Sequence, residues 1–99
     1  MTINNLSQLK KAMKAGHDFV IEKHYCHPEY TGQVRTVKEC GTTFMYTGIK
    51  DEPYHKVSQL NSGKGCYLNF GKASDWEFKN GLCTMYSRLK NPIWTIRVV

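Results

Sequence analysis

The 99-residue chain is long enough for one domain with one hydrophobic core, and we treat residues 1–99 as that single domain. Its 40% hydrophobic and 22% charged residues exclude a disordered tail and are typical of a folded globular protein. Fourteen lysines and arginines against eight acidic residues give a formal net charge of +6, which excludes an acidic DNA mimic and favours polyanionic partners.

The N-terminal segment MTINNLSQLKK lacks the apolar core of a signal peptide. No apolar run reaches the roughly 18 to 20 residues of a membrane span. We therefore expect a cytoplasmic protein with no membrane partner. Its cysteines are expected to be thiols, since cytosolic reductants keep disulfides open; they are Cys26, Cys40, Cys66 and Cys83.

The first predicted element is a helix from Asn5 to Ala15. Its apolar residues recur at helical spacing on one face, namely Leu6, Leu9 and Met13. Asn5 and Gln8 have the spacing of a capping box, and Gly16 supplies the stop. The pattern predicts an amphipathic helix of about three turns that lies across a sheet.

From His17 the pattern changes to period two, which predicts three consecutive antiparallel strands. In the first strand, Phe19 and Ile21 are predicted to face the core. The opposite, solvent face is predicted to carry Asp18, Glu22 and His24. "QVRTVKE" and "TTFMYTGI" follow as the second and third strands, separated by a break at Gly41.

The second half begins with a predicted long loop from Lys50 to Gly65, which carries a proline and few apolar residues. "CYLNF" predicts a short strand, and "GKASDWEF" a helical turn whose Trp76 and Phe78 enter the core. Asn80 and Gly81 predict a hairpin turn before two further strands. The sequence therefore predicts an α+β fold, in which the helix packs on five or six antiparallel strands that curl into a partly open barrel.

The segment SGKGCYLNFGKAS has a superficial likeness to a phosphate-binding loop. Such a loop needs glycine, four residues and then Gly-Lys-Ser/Thr, between a strand and a long helix. Here five residues separate Gly65 from Gly71, and Lys72 is followed by Ala73. The pattern therefore indicates a structural turn, and we expect neither nucleotide hydrolysis nor a cofactor.

Two other kinds of chemical site are disfavoured by the sequence. His24, Cys26 and His27 are close in sequence and are zinc-ligand types, but the chain has no Cys-x-x-Cys pair. The same residues could form a nucleophilic Cys–His pair, yet adjacency in sequence does not orient an imidazole toward a thiol. Asp75 and Glu77 are expected to share a solvent face. We therefore expect no metal and no catalysis, with these sites as the lowest-ranked alternative.

Polyanion binding is the best-supported chemistry. Lysines recur on the outward face of the helix and through the long loop, interleaved with aromatic residues, as in small barrels that hold single strands of nucleic acid. The predicted partner-binding residues are Lys10, Lys11, Lys14, Lys50, Tyr54, His55, Lys56, Lys64, Tyr67 and Lys72. Because only three of the fourteen cations are arginines, the charge favours affinity over base-specific contacts.

Residues Tyr67 to Phe78 carry a resemblance to a known group. The order of an aromatic strand, Lys-Ala-Ser, acidic-Trp-x-Phe and a final apolar strand resembles small uncharacterised proteins of Gram-positive bacteriophages and mobile elements. The similarity extends over most of the chain and carries no catalytic residue with it. It implies a setting in which proteins of this size often block host defences, as anti-CRISPR proteins do.

These observations lead to two functional hypotheses. In the first, the protein is a non-enzymatic inhibitor that binds a host nucleoprotein effector, through its RNA or DNA or through a protein surface. In the second, it is a small basic accessory domain that binds nucleic acid in general. The salt dependence of binding to bare nucleic acid distinguishes them.

Overall fold

A computed structural model describes residues 2–53 and 67–99. Within them the chain has an α+β fold, with one N-terminal helix and a seven-stranded antiparallel half-barrel sheet. The helix is α1 (Leu6–Lys14). The strands are β1 (Phe19–His24), β2 (Val34–Cys40), β3 (Phe44–Ile49), β4 (Tyr67–Asn69), β5 (Trp76–Lys79), β6 (Leu82–Tyr86) and β7 (Pro92–Val98). Short 3₁₀ turns span Pro28–Tyr30 and Ala73–Asp75.

The predicted helix is confirmed, and its ends are capped as the sequence indicates. The side-chain oxygen of Asn5 accepts a hydrogen bond from the backbone N–H of Gln8 at 2.8 Å. The Gln8 side chain reaches back to the N–H of Asn4, one residue earlier than a capping box requires. Gly16 has φ +89°, the left-handed conformation that ends a helix.

The strand order β4-β3-β2-β1-β7-β6-β5 explains why the sheet curls. Strands β4 and β5 lie at opposite edges, yet only residues 70–75 join them. In a flat sheet of seven strands the edges would be about 29 Å apart. A connection of this length spans at most about 25 Å, and its 3₁₀ turn shortens it further. The edges must therefore approach each other, which bends the sheet around the helix.

The core lies between α1 and the concave face of the sheet. The helix contributes its predicted apolar stripe, and the strands contribute alternate residues; the fully buried members include Leu9, Met13, Phe19, Ile21, Met45, Phe70, Cys83 and Ile96. Trp94, Ile96 and Val98 share the inward face of β7. Burial of each large apolar side chain contributes about 1.5 to 3 kcal/mol to the stability of the fold.

The sheet has seven strands, one more than the larger of the two numbers that the sequence predicts, five or six. Residues Trp76–Lys79 pair with β6 as a separate edge strand, whereas the sequence indicated a turn leading into a strand. The predicted helical turn is shorter and ends at Asp75. The Asp75 carboxylate accepts the N–H of Lys72 at 2.8 Å, so it caps this turn and does not share a strand face with Glu77.

Gly71 has a structural role in the same connection. It has φ +64°, and a Cβ at this position would lie 2.6 Å from Oδ2 of Asp75. The glycine therefore permits both the turn and the capping bond, in agreement with the interpretation of this segment as a turn.

The predicted orientation of His24 is wrong. A β-bulge between Ile21 and Lys23 inserts one extra residue, so the residues that follow it face the opposite side from the one that strict alternation predicts. His24 pairs with Trp94 and is only 9% exposed. Its imidazole thus belongs to the concave side and not to the solvent face with Glu22.

Candidate functional site

The predicted partner-binding residues fall into two groups. Six lie in the described part of the chain: Lys10, Lys11, Lys14, Lys50, Tyr67 and Lys72. The other four lie outside the described residues: Tyr54, His55, Lys56 and Lys64. Cys66 and the rest of the predicted loop beyond Pro53 lie outside them as well.

Tyr67 belongs to a group of three rings on the convex face of the sheet. Phe44 and Tyr46 alternate with the core residue Met45 on β3, and Tyr67 lies directly opposite Tyr46 on β4. The ring centroids of Phe44 and Tyr67 are 6.3 Å apart and nearly parallel, at 18°. Tyr46 meets Tyr67 at 5.2 Å. We call Phe44, Tyr46 and Tyr67 the outer aromatic patch.

The patch is accessible at its edge strand. Tyr67 is 45% exposed, and Phe44 and Tyr46 are half-buried. A Cβ on Gly41 would lie 2.7 Å from the Phe44 ring, so this glycine leaves the space that the ring occupies. An exposed ring such as that of Tyr67 can stack on planar ligands such as nucleobases.

Two of the predicted lysines lie near the same end of β3. Phe70, which follows β4, donates its N–H to the carbonyl of Thr43, and the Lys10 ammonium lies 5.6 Å above the Phe70 ring. Lys72 is two residues further along the chain and is exposed. The fold therefore brings the N-terminal helix and the β4–β5 connection together beside the start of β3.

Lys14 is close to this corner as well. Partial burial raises the pKa of the Cys40 thiol, and the positive charges of Lys14 and Lys10 oppose that rise. Since Cys40 ends β2 beside Gly41, these lysines and Lys72 border the end of the sheet where β3 begins. We call Lys10, Lys14 and Lys72 the lysine corner.

The other two described lysines lie elsewhere. Lys50 follows the far end of β3 and forms an ion pair with Asp18 at 3.2 Å. Lys11 lines an open pocket of about 290 Å³ with Ile3, Ala12 and other residues at the helix N-terminus and C-terminus. Of the six described residues, Lys11 and Lys50 therefore lie away from the corner of the sheet where β3 begins. The other four lie near that corner, namely Lys10, Lys14, Tyr67 and Lys72.

An acidic residue lies beside the patch. Glu39 on β2 is the register partner of Tyr46, and its side chain is exposed. The patch therefore has an acidic neighbour on β2, and the lysine corner lies at the end of the sheet where β3 begins. A chain of phosphates would approach most favourably from that end.

The residues with metal-ligand chemistry do not form a metal site in the part of the chain that the structure describes. There, no group of three His, Cys, Asp or Glu side chains is arranged to hold a metal ion. Cys26 is exposed, whereas His24 is buried and its Nδ1 accepts a backbone hydrogen bond from His27. The imidazole of His24 therefore does not activate the Cys26 thiol in this arrangement.

Sequence reasoning missed Phe44 and Tyr46 as members of the site. Their i, i+2 spacing places them on one face of a strand, and this signal is visible in "TTFMYTGI". The spacing does not show which face of the strand is convex, because Met45 and Thr47 on the opposite face could lie on either side. In the structure Met45 and Thr47 are buried, at 0% and 1% exposed, so the aromatic face is the outer one.

Comparisons of the chain with known proteins found no match from which a function could be inferred. No protein-family model matches the chain, and neither a curated protein nor a solved structure shows significant similarity to it. Across residues 2–53 and 67–99, no helix is both long and apolar enough to span a membrane.

Proposed function

We propose that the protein is a non-enzymatic binding protein of a phage or mobile element that contacts single-stranded nucleic acid in a host nucleoprotein defence complex and so interferes with it. The observation that supports this proposal is the outer aromatic patch beside the lysine corner. The lysine corner and Tyr67 of the patch belong to the residues from which the sequence predicts polyanion contact.

Stacking is the first contribution. Unpaired bases can lie on exposed aromatic rings, and each base stacked in this way contributes about 1 to 3 kcal/mol. Paired bases cannot, because their faces are covered within the duplex. An exposed patch that includes Tyr67 therefore favours single strands, such as a guide RNA or a displaced DNA strand, over duplex.

Charge is the second contribution. The ammonium groups of the lysine corner can neutralise phosphates, and the formal net charge of +6 adds a long-range attraction. Lysine acts as a point charge without the forked geometry that reads guanine. The expected binding is therefore tolerant of sequence.

The resemblance at Tyr67 to Phe78 supports the cellular setting. Proteins of phages and mobile elements benefit when a host defence nuclease is blocked. A protein that binds single strands of any sequence can reach such a nuclease through the guide RNA of the nuclease or through the DNA strand that the nuclease displaces. The second candidate, a general accessory domain for nucleic acid, rests on the same patch without this setting.

Binding to bare nucleic acid tests the contact itself. We expect labelled oligo(dT) or oligo(U), longer than a site of roughly 4–16 nucleotides, to bind more tightly than a duplex of equal length. The affinity should fall as salt rises, with a slope of about −0.7 per phosphate contact on single strands. Equal affinity at low and high salt would contradict a phosphate contact.

Interference in cells separates the two candidates. The protein is expressed in a host with an active CRISPR nuclease, and the survival of a targeted plasmid is measured. Restored survival, with the nuclease co-purifying, supports the inhibitor. Tight single-strand binding without restored survival supports the accessory domain. The matched variants are Tyr67→Ala within the patch and Tyr25→Ala outside it, since these tyrosines are 45% and 42% exposed.

A further inference from the structure

A second cluster, unrelated to the outer aromatic patch, surrounds the buried His24 at the end of β1. Its imidazole contacts three rings edge to face, with centroids 5.3 Å from His27, 5.3 Å from Tyr30 and 5.8 Å from Trp94. His27 and Tyr30 belong to the loop at residues 25–33 that joins β1 to β2, and Trp94 belongs to β7. His24 is therefore the point at which this loop packs on the sheet.

A hydrogen bond defines the protonation state of His24. Its Nδ1 accepts the backbone N–H of His27 at 2.9 Å. An imidazole nitrogen can accept only when it carries no proton, so this bond requires neutral His24 with its proton on Nε2. Protonation of Nδ1 would replace the acceptor with a second donor and break the bond.

The loop is anchored to the sheet at both ends. The N–H of Tyr25 donates to the carbonyl of Ile93 at 2.9 Å, and the N–H of Gly32 donates to that of Ile21 at 2.7 Å. The bond from His27 to His24 ties the first part of the loop, residues 26–29, to β1, whereas Tyr30 packs against the core beside Arg35. Loss of the His27 bond would release residues 26–29 while Tyr30 and the loop ends remain attached.

The groups around His24 act mainly against its protonation. Burial lowers the pKa of His24 below its ordinary value of 6.5, and the charges of His27 and Arg35 lower it further. Glu29 acts in the opposite direction. It lies 3.1 Å from His27 Nδ1, and both of these side chains are more than half exposed. The remaining ring neighbours of His24 are Tyr30 and Trp94.

Arg35 reinforces the arrangement from β2. Arg35 is 1% exposed, and its guanidinium lies 5.4 Å from the centre of the Tyr30 ring. It also donates to Gln33 at 2.8 and 3.0 Å, at the loop end. A second positive charge on His24 would therefore form in a buried space that already holds one. Repulsion there adds to the loss of the His27 bond.

We propose that His24 is a proton-operated latch for the loop at residues 25–33. Neutral His24 holds the loop closed on β1 and β7. Protonation in mildly acidic solution breaks the His27 bond and releases residues 26–29 from β1, while Tyr30 and the strands stay in place.

The test is an NMR titration of the wild-type protein. The ring carbon of His24 reports its protonation, the amide of His27 reports the hydrogen bond, and amides in β3 and β6 report the sheet. We expect the His27 amide proton to move upfield with the same midpoint as His24, below pH 6.5, while the sheet amides stay unchanged. The latch is ruled out if His24 is protonated without a change at His27, or only when the sheet unfolds.

His24→Asn is the matched variant, because its side-chain oxygen can accept from the His27 N–H but cannot titrate. In this variant the acid-dependent shift of the His27 amide should disappear. His27→Gln keeps the backbone donor and removes the neighbouring imidazole, so the shift should persist. An unchanged acid response in a folded His24→Asn protein would overturn the proposal, and the wild-type titration decides the question if that variant does not fold.

Discussion

The indole Nε1 of Trp76 donates a hydrogen bond of 2.8 Å to the carbonyl oxygen of Phe70. Trp76 begins edge strand β5, and Phe70 directly follows edge strand β4. This bond therefore spans the connection that draws the two edges of the sheet together. Both residues are buried, at 7% and 0% exposed, so the bond is shielded from water.

Trp76→Ala should strongly destabilise the fold. It removes a large buried ring, with an expected loss of about 3 to 5 kcal/mol in the free energy of unfolding. Trp76→Phe keeps most of the apolar contact but leaves the Phe70 carbonyl without its donor, which costs about 1 to 3 kcal/mol. Urea denaturation measures both losses.

Leu89→Ala serves as the control for this prediction. Leu89 lies in the β6–β7 turn and is 83% exposed, so its truncation should change stability by less than about 0.5 kcal/mol. Equal denaturation midpoints for Trp76→Ala and Leu89→Ala would contradict the assignment of Trp76 to the core.

Tyr67→Ala should weaken binding to single-stranded oligonucleotides by roughly 5- to 150-fold, the equivalent of about 1 to 3 kcal/mol for one lost stacking contact. Tyr67→Phe should bind nearly as well as the wild type, because stacking uses the ring and not the hydroxyl. Fluorescence anisotropy at constant salt measures these affinities. If Tyr25→Ala weakens binding as much as Tyr67→Ala, the outer aromatic patch is not the stacking surface.

Lys72→Gln should reduce the salt dependence of binding. The loss of one phosphate contact lowers the magnitude of the slope of log K against log salt by about 0.7 for a single strand. Lys90→Gln removes the same charge from the β6–β7 turn, which is not part of the lysine corner. Its slope should match the wild type. Identical slopes for the two variants would show that only net charge matters.

The cysteines should differ strongly in reactivity. Burial raises the pKa of the Cys83 thiol to about 11, so at pH 8 roughly one molecule in a thousand carries the reactive thiolate. Cys26 is exposed. Iodoacetamide at pH 8 should therefore modify Cys26 before Cys83, and Cys83 should react only after addition of denaturant. Peptide mass spectrometry measures each site, and early modification of Cys83 would contradict its burial.

Stability should fall as the solution becomes acidic. The pKa of His24 is lowered from 6.5 in the folded protein, so between the folded pKa and 6.5 the unfolded chain binds more protons. The contribution of His24 is thus fully present above pH 6.5 and is lost as pH falls through the folded pKa. The unfolding free energy of the wild type should decline over this range more steeply than that of His24→Asn.

Local patterns were sufficient for the helix and for the fold class. The stripe of Leu6, Leu9 and Met13 recurs with the helical period, and all three are buried in the structure. The shared strand face of Trp94, Ile96 and Val98 could be predicted from the sequence for the same reason. These signals depend on residues a few positions apart, so they need no knowledge of the rest of the chain.

The direction of His24 and the separate strand at Trp76–Lys79 were not readable in this way. The bulge between Ile21 and Lys23 arises from pairing with β7, a strand at the opposite end of the sequence. Strand β5 is likewise stabilised by its pairing with β6. In both cases another strand decides the local geometry, and period-two reasoning within one segment cannot detect it.

The sequence by itself determined an amphipathic helix, an antiparallel sheet, a positive net charge and the turn at Gly71, because each depends on composition or on near neighbours. Only the tertiary structure decided that Phe44 and Tyr46 join Tyr67 on the convex face, and that His24 packs between Trp94 and the loop at residues 25–33. These groups form where strands far apart in sequence become neighbours. Curvature of the sheet then decides which of its faces is buried and which is open to a partner.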